Sequence, residues 1–133
     1  MNYKTLKNKI YQNKLSKLLD DNKAFFAFSE SQLLEGIEKT KSKREDLVSC
    51  GIGMIMPKQN IKSFNDGMVE LQKWLKSKIK EINPNEIILY ELNNYEAYYT
   101  GDITDALEVL ETYGFTRDEV YNVFKNKNYQ LNK

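Results

Sequence analysis

The chain has 133 residues, 41% of them hydrophobic, and its 20 basic and 19 acidic residues leave a net charge of +1. That balance gives no global attraction to nucleic acid or to an anionic membrane, and no apolar run is long enough for a membrane span or a signal peptide. There is no histidine and only one cysteine, Cys50, so an internal disulfide and Ser-His-Asp, Cys-His and zinc-type chemistry are excluded by inventory.

A chain of this size buries roughly two thirds of its unfolded surface. The reading is therefore one cytoplasmic domain over residues 1–133, with an N-terminal helix within residues 1–22 and a loose tail at 128–133. The charge is unevenly laid out. Residues 1–62 hold 12 basic and 7 acidic side chains (+5), and residues 63–133 hold 8 and 12 (−4). Such runs are ordinarily solvated faces; the sharper reading is an acidic end presented to a basic partner.

In chain order, Tyr3, Leu6, Ile10, Leu15, Leu18 and Leu19 recur at roughly helical spacing and predict an amphipathic helix over residues 3–20. The aromatic run Lys23 to Phe28 is too short for a helix and reads as a strand buried on both faces. Ser29 with Gln32 three residues on has capping-box spacing and starts a second helix that ends near Thr40. Lys41 to Asp46 reads as a loop or a frayed helix end. Leu47 to Met56 predicts a second strand stopped by Pro57. Gly51-Ile52-Gly53 lies inside this apolar run instead of opening onto a helix, so it reads as a bulge or close backbone packing and not as a phosphate loop. Cys50 reads there as a small buried apolar residue.

Ile61, Phe64, Met68, Leu71, Leu75, Ile79 and Ile82 step by three or four, which predicts a long helix from near Gln59 to Ile82 with Lys73, Lys76 and Lys80 off the apolar stripe. Asn83-Pro84-Asn85 is read as its end. Glu86 to Asp102 then reads as a β-hairpin around Asn93-Asn94, since asparagine tolerates the positive φ of a type I′ turn. Strand alternation would put Ile88, Tyr90, Leu92, Tyr95, Ala97 and Tyr99 on one face and Ile87, Leu89, Glu91, Glu96 and Tyr98 on the other. Ile103, Ala106, Leu107 and Leu110 predict a short acidic helix closed by Gly114 as a C′ residue. Thr116 and Glu119 form a second capping box for a last helix that runs to about Lys127. The elements together predict an α+β fold: one sheet of about four strands, including the hairpin in the C-terminal half, covered by four to five helices.

The motifs Phe25-Phe26-Ala27-Phe28-Ser29, Gly51-Ile52-Gly53, and Tyr90-Glu91-Leu92-Asn93-Asn94-Tyr95-Glu96 with Tyr99-Thr100-Gly101-Asp102 resemble a family of small proteins of no established activity from bacteriophages and other bacterial mobile elements. The likeness covers about residues 23–125. In that family a histidine is common where this chain has Tyr95, a departure that weakens a metal or acid–base reading of the turn. The resemblance implies a mobile element in a bacterial host as the setting.

Three function classes follow. The first is a binding protein, not an enzyme and without a cofactor, that inhibits or modulates a host bacterial protein. Its target class is a nucleic-acid-processing complex such as a CRISPR or other defence nuclease. Its candidate surface is Tyr90, Glu91, Asn93, Asn94, Tyr95, Glu96, Tyr98, Tyr99, Asp102 and Asp105. Tyrosines supply rigid contact area, and carboxylates engage the lysines and arginines with which nucleases hold nucleic acid. The bland alternative is that at least half of these tyrosines are sheet core. The second class is a carboxylate or divalent-metal site, because Glu91 and Glu96 directly opposite on a hairpin would cost up to roughly 1 kcal/mol and call for a lysine, a shared proton or a cation between them. The third is nucleic-acid binding through the basic first helix and the Lys73, Lys76 and Lys80 face, against which the near-neutral total counts. No membrane partner is expected, and an exposed hairpin edge would allow a homodimer.

Overall fold

A computed structural model describes the backbone of residues 1–131 and the side chains of residues 1–127. The chain divides into two compact units: a central unit, Ile10–Trp74, and a terminal unit formed by Met1–Lys9 with Leu75–Lys133. The first helical run comprises α1 (Tyr3–Thr5), a π-helical stretch (Leu6–Ile10) and α2 (Tyr11–Asp21), as the apolar spacing predicts.

In the central unit, Leu18 and Leu19 of α2 pack on a core of Ala24, Met56 and Phe64, joined by Met54, Ile61 and Met68. The buried Asn22 ends α2 by donating its amide to the Leu18 carbonyl at 2.9 Å, while its own carbonyl accepts from Asn60 Nδ2 at 3.0 Å. Helix α3 (Glu30–Thr40) is capped as its sequence predicts: Ser29 Oγ accepts from the Gln32 N–H at 3.2 Å. Gln32 Oε1 in turn accepts from the Phe28 N–H at 2.7 Å. Gly36 is required within α3 because a Cβ there would lie 2.1 Å from the Phe25 ring.

The sheet departs from expectation. It has three antiparallel strands in the order β1–β3–β2, where β1 is Phe25–Phe26, β2 is Leu47–Ser49 and β3 is Met54–Pro57. The apolar run Leu47–Met56, read as one strand, is thus itself a hairpin, with Leu47 opposite Pro57 and Ser49 opposite Ile55. The reason is the backbone of its turn: Gly51, Ile52 and Gly53 all take positive φ, which no continuous strand accommodates. Gly53 also has the Phe28 ring 2.3 Å from where a Cβ would sit, so the close-packing reading of that glycine holds. The aromatic run is not buried on both faces, since Phe26 and Phe28 are exposed on and beside an edge strand. Cys50, at the start of the turn, is likewise exposed and not a core residue.

Helix α4 (Ile61–Ile79) follows a short 3₁₀ turn at Lys58–Asn60. Its stripe is core, as read: Phe64 and Leu71 are buried in the central unit, and Leu75 and Ile79 are buried in the terminal one.

The largest correction falls in the terminal unit. Residues read as a β-hairpin form helix α5 (Pro84–Asn94) and the single turn α6 (Ala97–Thr100), so the predicted cross-strand faces do not exist. Asn83-Pro84-Asn85 starts this helix instead of merely ending the last one. Asn83 Oδ1 accepts from the Asn85 N–H at 2.9 Å, and Pro84 occupies the first helical position, where its missing N–H costs nothing. The inner face of α5 carries Ile87, Ile88, Glu91 and Leu92, all buried, at i, i+1, i+4 and i+5. Fully burying each of the three aliphatic side chains contributes about 1.5–3 kcal/mol.

Around α5 pack α1, α6, α7 (Thr104–Thr112) and α8 (Arg117–Leu131). Helix α7 ends in a Schellman motif, with Gly114 N–H on the Glu111 carbonyl and Phe115 N–H on that of Leu110. Gly114 there has φ 97°. The second capping box is present: Thr116 N–H donates to Glu119 Oε1 at 3.1 Å, and Thr116 Oγ accepts from the Glu119 N–H at 3.2 Å. Of Val120, Val123 and Phe124, the apolar residues expected to face inward from α8, Val120 and Phe124 are buried and Val123 is half-buried. Helix α8 runs to Leu131, past the Lys127 end read for it and into the predicted loose tail, of which residues 132–133 lie outside the described residues.

Candidate binding surface

Nine of the ten residues singled out in the sequence separate into an internal network and an exposed corner, both in the terminal unit. The network is centred on Glu91, which is 0% exposed. Its two carboxylate oxygens each accept from Lys7 Nζ at 2.7 Å, one accepts from Tyr3 Oη at 3.1 Å, and Asn94 Nδ2 adds a longer contact at 3.4 Å. Tyr3 Oη also meets Tyr113 Oη at 3.1 Å. The Tyr90 ring packs edge-on against Tyr3 with centroids 5.2 Å apart, and its hydroxyl accepts from Asn8 Nδ2 at 2.8 Å. Burial, reinforced by Tyr113 and Glu91, pushes the Tyr3 hydroxyl far above the ordinary tyrosine range. An unpaired buried carboxylate is strongly destabilising, so the position of Glu91 on the apolar face of α5 demands the cation that Lys7 provides.

This arrangement corrects the carboxylate-pair reading. Glu91 and Glu96 do not face each other across a hairpin: Glu91 is sealed in the network, and Glu96 is an exposed residue beyond the end of α5. Among the described residues no three His, Cys, Asp or Glu side chains are grouped to hold a metal ion. A lysine was among the partners expected for Glu91, but the sequence reading did not name Lys7 or Tyr3, nor Tyr113 behind Tyr3. The available signal was an acid four residues after Ile87 and three after Ile88 on what is in fact a helix.

The corner is the segment from Asn93 to Asp105. Asn93, Tyr95, Glu96, Tyr99, Asp102 and Asp105 are exposed, with Tyr99 at 91% and Tyr95 at 38%. Glu96 adopts the left-handed conformation, φ 55°, which breaks α5 from α6 and throws Tyr95 and Tyr99 to the outside while Ala97 is buried. Asp102 Oδ1 accepts from Thr104 N–H at 2.9 Å and Thr104 Oγ1 at 2.6 Å. These bonds hold its carboxyl below the usual range and fix the turn into α7. Tyr98 belongs to neither group. Its ring stacks on Phe124 at 5.0 Å, Lys127 Nζ lies 4.9 Å from its centroid, and burial raises its hydroxyl pKa.

The corner is also strongly acidic. From Glu81 to Thr116 the chain has no lysine or arginine, and Glu96, Asp105, Glu108 and Glu111 make no ion pair among the described residues. Carboxylates without ion pairs in the same segment as two exposed phenol rings can receive cationic side chains with both charge and flat contact area.

No helix among the described residues is long and apolar enough to cross a membrane. Fold and surface define a largely helical α+β protein with a three-stranded sheet and an acidic, tyrosine-bearing corner. The model of a family of unknown function (DUF7659) matches residues 7–129, and the chain belongs to that family. No curated protein and no solved structure matches the chain.

Proposed function

We propose that this chain is a binding protein whose acidic corner, Tyr95, Glu96, Tyr99, Asp102 and Asp105, seats on a basic surface of a host bacterial protein and inhibits it. The observation that carries the reading is Tyr99: a tyrosine 91% exposed, flanked by carboxylates with no lysine or arginine from Glu81 to Thr116. Tyrosine is enriched at protein interfaces, and charge complementarity steers association and selects partners. A nuclease that grips nucleic acid with lysine and arginine offers the matching surface. In the phage or mobile-element setting that the sequence motifs suggest, a CRISPR or other defence nuclease is the corresponding target.

The test is biolayer interferometry of the full chain against a panel of purified CRISPR and restriction nucleases, with Tyr95→Ala/Glu96→Ala/Tyr99→Ala beside the parent. Saturable binding to one nuclease, weakened at least tenfold in the variant and falling steeply with salt, supports the proposal. Binding to none of them, or binding indifferent to the three substitutions while the variant keeps its circular dichroism, removes it.

A further inference from the structure

A cleft of about 480 Å³ in the terminal unit is lined by Asn85 and Leu89 of α5 and by Asn122, Val123, Asn126 and Lys127 of α8, none of them a residue of the acidic corner. Its chemistry is specific. The floor is apolar, through Leu89 and Val123, while three carboxamides and one ammonium line the rest. None of the three asparagine side chains makes a hydrogen bond to the rest of the protein among the described residues. Each carboxamide therefore keeps a free N–H donor and a free carbonyl acceptor, the pair of groups that a main-chain amide answers.

The spacing adds the decisive constraint. Asn122 and Asn126 are four residues apart on one helix, a rise of about 6 Å, and alternate residues of an extended chain repeat at about 6.6–6.8 Å. Two carboxamides so placed match successive same-facing amides of an extended peptide. Val123 of the same helix and Leu89 of α5 are the apolar members of the lining and offer a seat for one side chain, and Lys127, one position beyond Asn126, supplies a positive charge.

We infer that this cleft binds an extended peptide segment through its main chain, with one apolar side chain seated on Leu89 and Val123 and a carboxylate beside Lys127. The inference stands on different residues from the acidic corner and does not depend on it.

The experiment pans the full chain against a displayed library of random nine-residue peptides and measures the selected peptides by fluorescence anisotropy. Expected are sequences that share one apolar and one acidic residue at fixed spacing. They should bind at least tenfold more weakly to Asn122→Leu/Asn126→Leu, several-fold more weakly to Lys127→Met, and equally well to Tyr99→Ala. N-methylation of alternate backbone amides should weaken binding at least tenfold in one register and leave it unchanged in the other. No enrichment over bare resin overturns the inference, and so does binding that ignores either the asparagine changes or N-methylation in both registers. Should the leucine variant misfold, Asn122→Asp/Asn126→Asp keeps shape and solubility while removing the amide donors, with the same tenfold loss expected.

Discussion

Lys7 and Glu91 lie 84 positions apart in the sequence, yet the lysine ammonium meets both oxygens of the buried carboxylate at 2.7 Å. This pair fastens Met1–Lys9 to the central helix α5 of the terminal unit. Lys7→Met leaves the charge of Glu91 buried without its cation. Because Lys7 itself is 25% exposed and Tyr3 still donates, the expected loss is at the lower end for a broken buried pair, about 3 kcal/mol. Lys7→Met/Glu91→Leu removes both charges and should recover to within about 1 kcal/mol of the parent. Urea unfolding of the three proteins measures both numbers.

Alkaline pH tests the same network through Tyr3. Its hydroxyl pKa is raised above the ordinary value of 10.0, first by burial and then by Tyr113 and Glu91. A raised folded-state pKa means that the folded chain keeps a proton which the unfolded chain releases, so stability is full below pH 10 and falls as pH rises beyond it. The slope is up to about 1.4 kcal/mol per pH unit, and Tyr98, raised by burial, acts with the same sign. Tyr3→Phe should lower stability at pH 7 by about 1–1.5 kcal/mol and flatten the alkaline decline. Thermal melts from pH 8 to 12 read both effects.

The tip of the β2–β3 hairpin stores backbone strain. Ile52 is β-branched, sits at φ 55° and is 91% exposed, a conformation that costs an L-residue about 1–2 kcal/mol. Ile52→Gly removes that cost against a loss of about 0.5–1 kcal/mol in chain entropy, so a small gain of about 0.5–1 kcal/mol is expected. Gly53→Ala must have the opposite sign, since it meets both φ 75° and the Phe28 ring at 2.3 Å. Paired denaturation curves of the two variants settle the sign of each.

Thr116→Ala removes the hydroxyl that accepts the Glu119 N–H at 3.2 Å and should cost about 1 kcal/mol. Differential scanning calorimetry suffices to see it. This cap was legible from Thr116 and Glu119 alone, as were the Ser29 cap of α3, the Gly114 end of α7 and the apolar stripe of α4. In each case the signal is local and has one physical cause.

The α5 region was misread because two local signals competed. Ile87, Ile88, Leu89 and Tyr90 favour strands, and Asn93-Asn94 suits a tight turn. Against them stood Asn83-Pro84-Asn85-Glu86, an N-cap, a proline at the first helical position and an acid in the first turn. Burial of Ile87, Ile88, Glu91 and Leu92 on one helical face decided the outcome, as tertiary packing overrides propensity. The Leu47–Met56 hairpin was hidden for a related reason, because Ile52, a strand former, occupies a left-handed turn position. Tyr95, Glu96, Tyr99, Asp102 and Asp105 are exposed as a surface reading requires, since charge and aromatic content do not depend on whether the backbone is strand or helix. Glu91 was misassigned because its partner lies at the far end of the chain.

The most direct measurement is plasmid interference in cells with the active CRISPR or restriction nuclease that the interferometry selects, expressing the parent, Tyr99→Ala/Asp105→Lys or Lys125→Ala as a surface control. The parent and the control should raise transformation of targeted plasmid at least tenfold over an empty vector, and the corner variant, folded and equally abundant, should not. Equal protection by the corner variant, or none by the parent, would contradict the role assigned to the acidic corner.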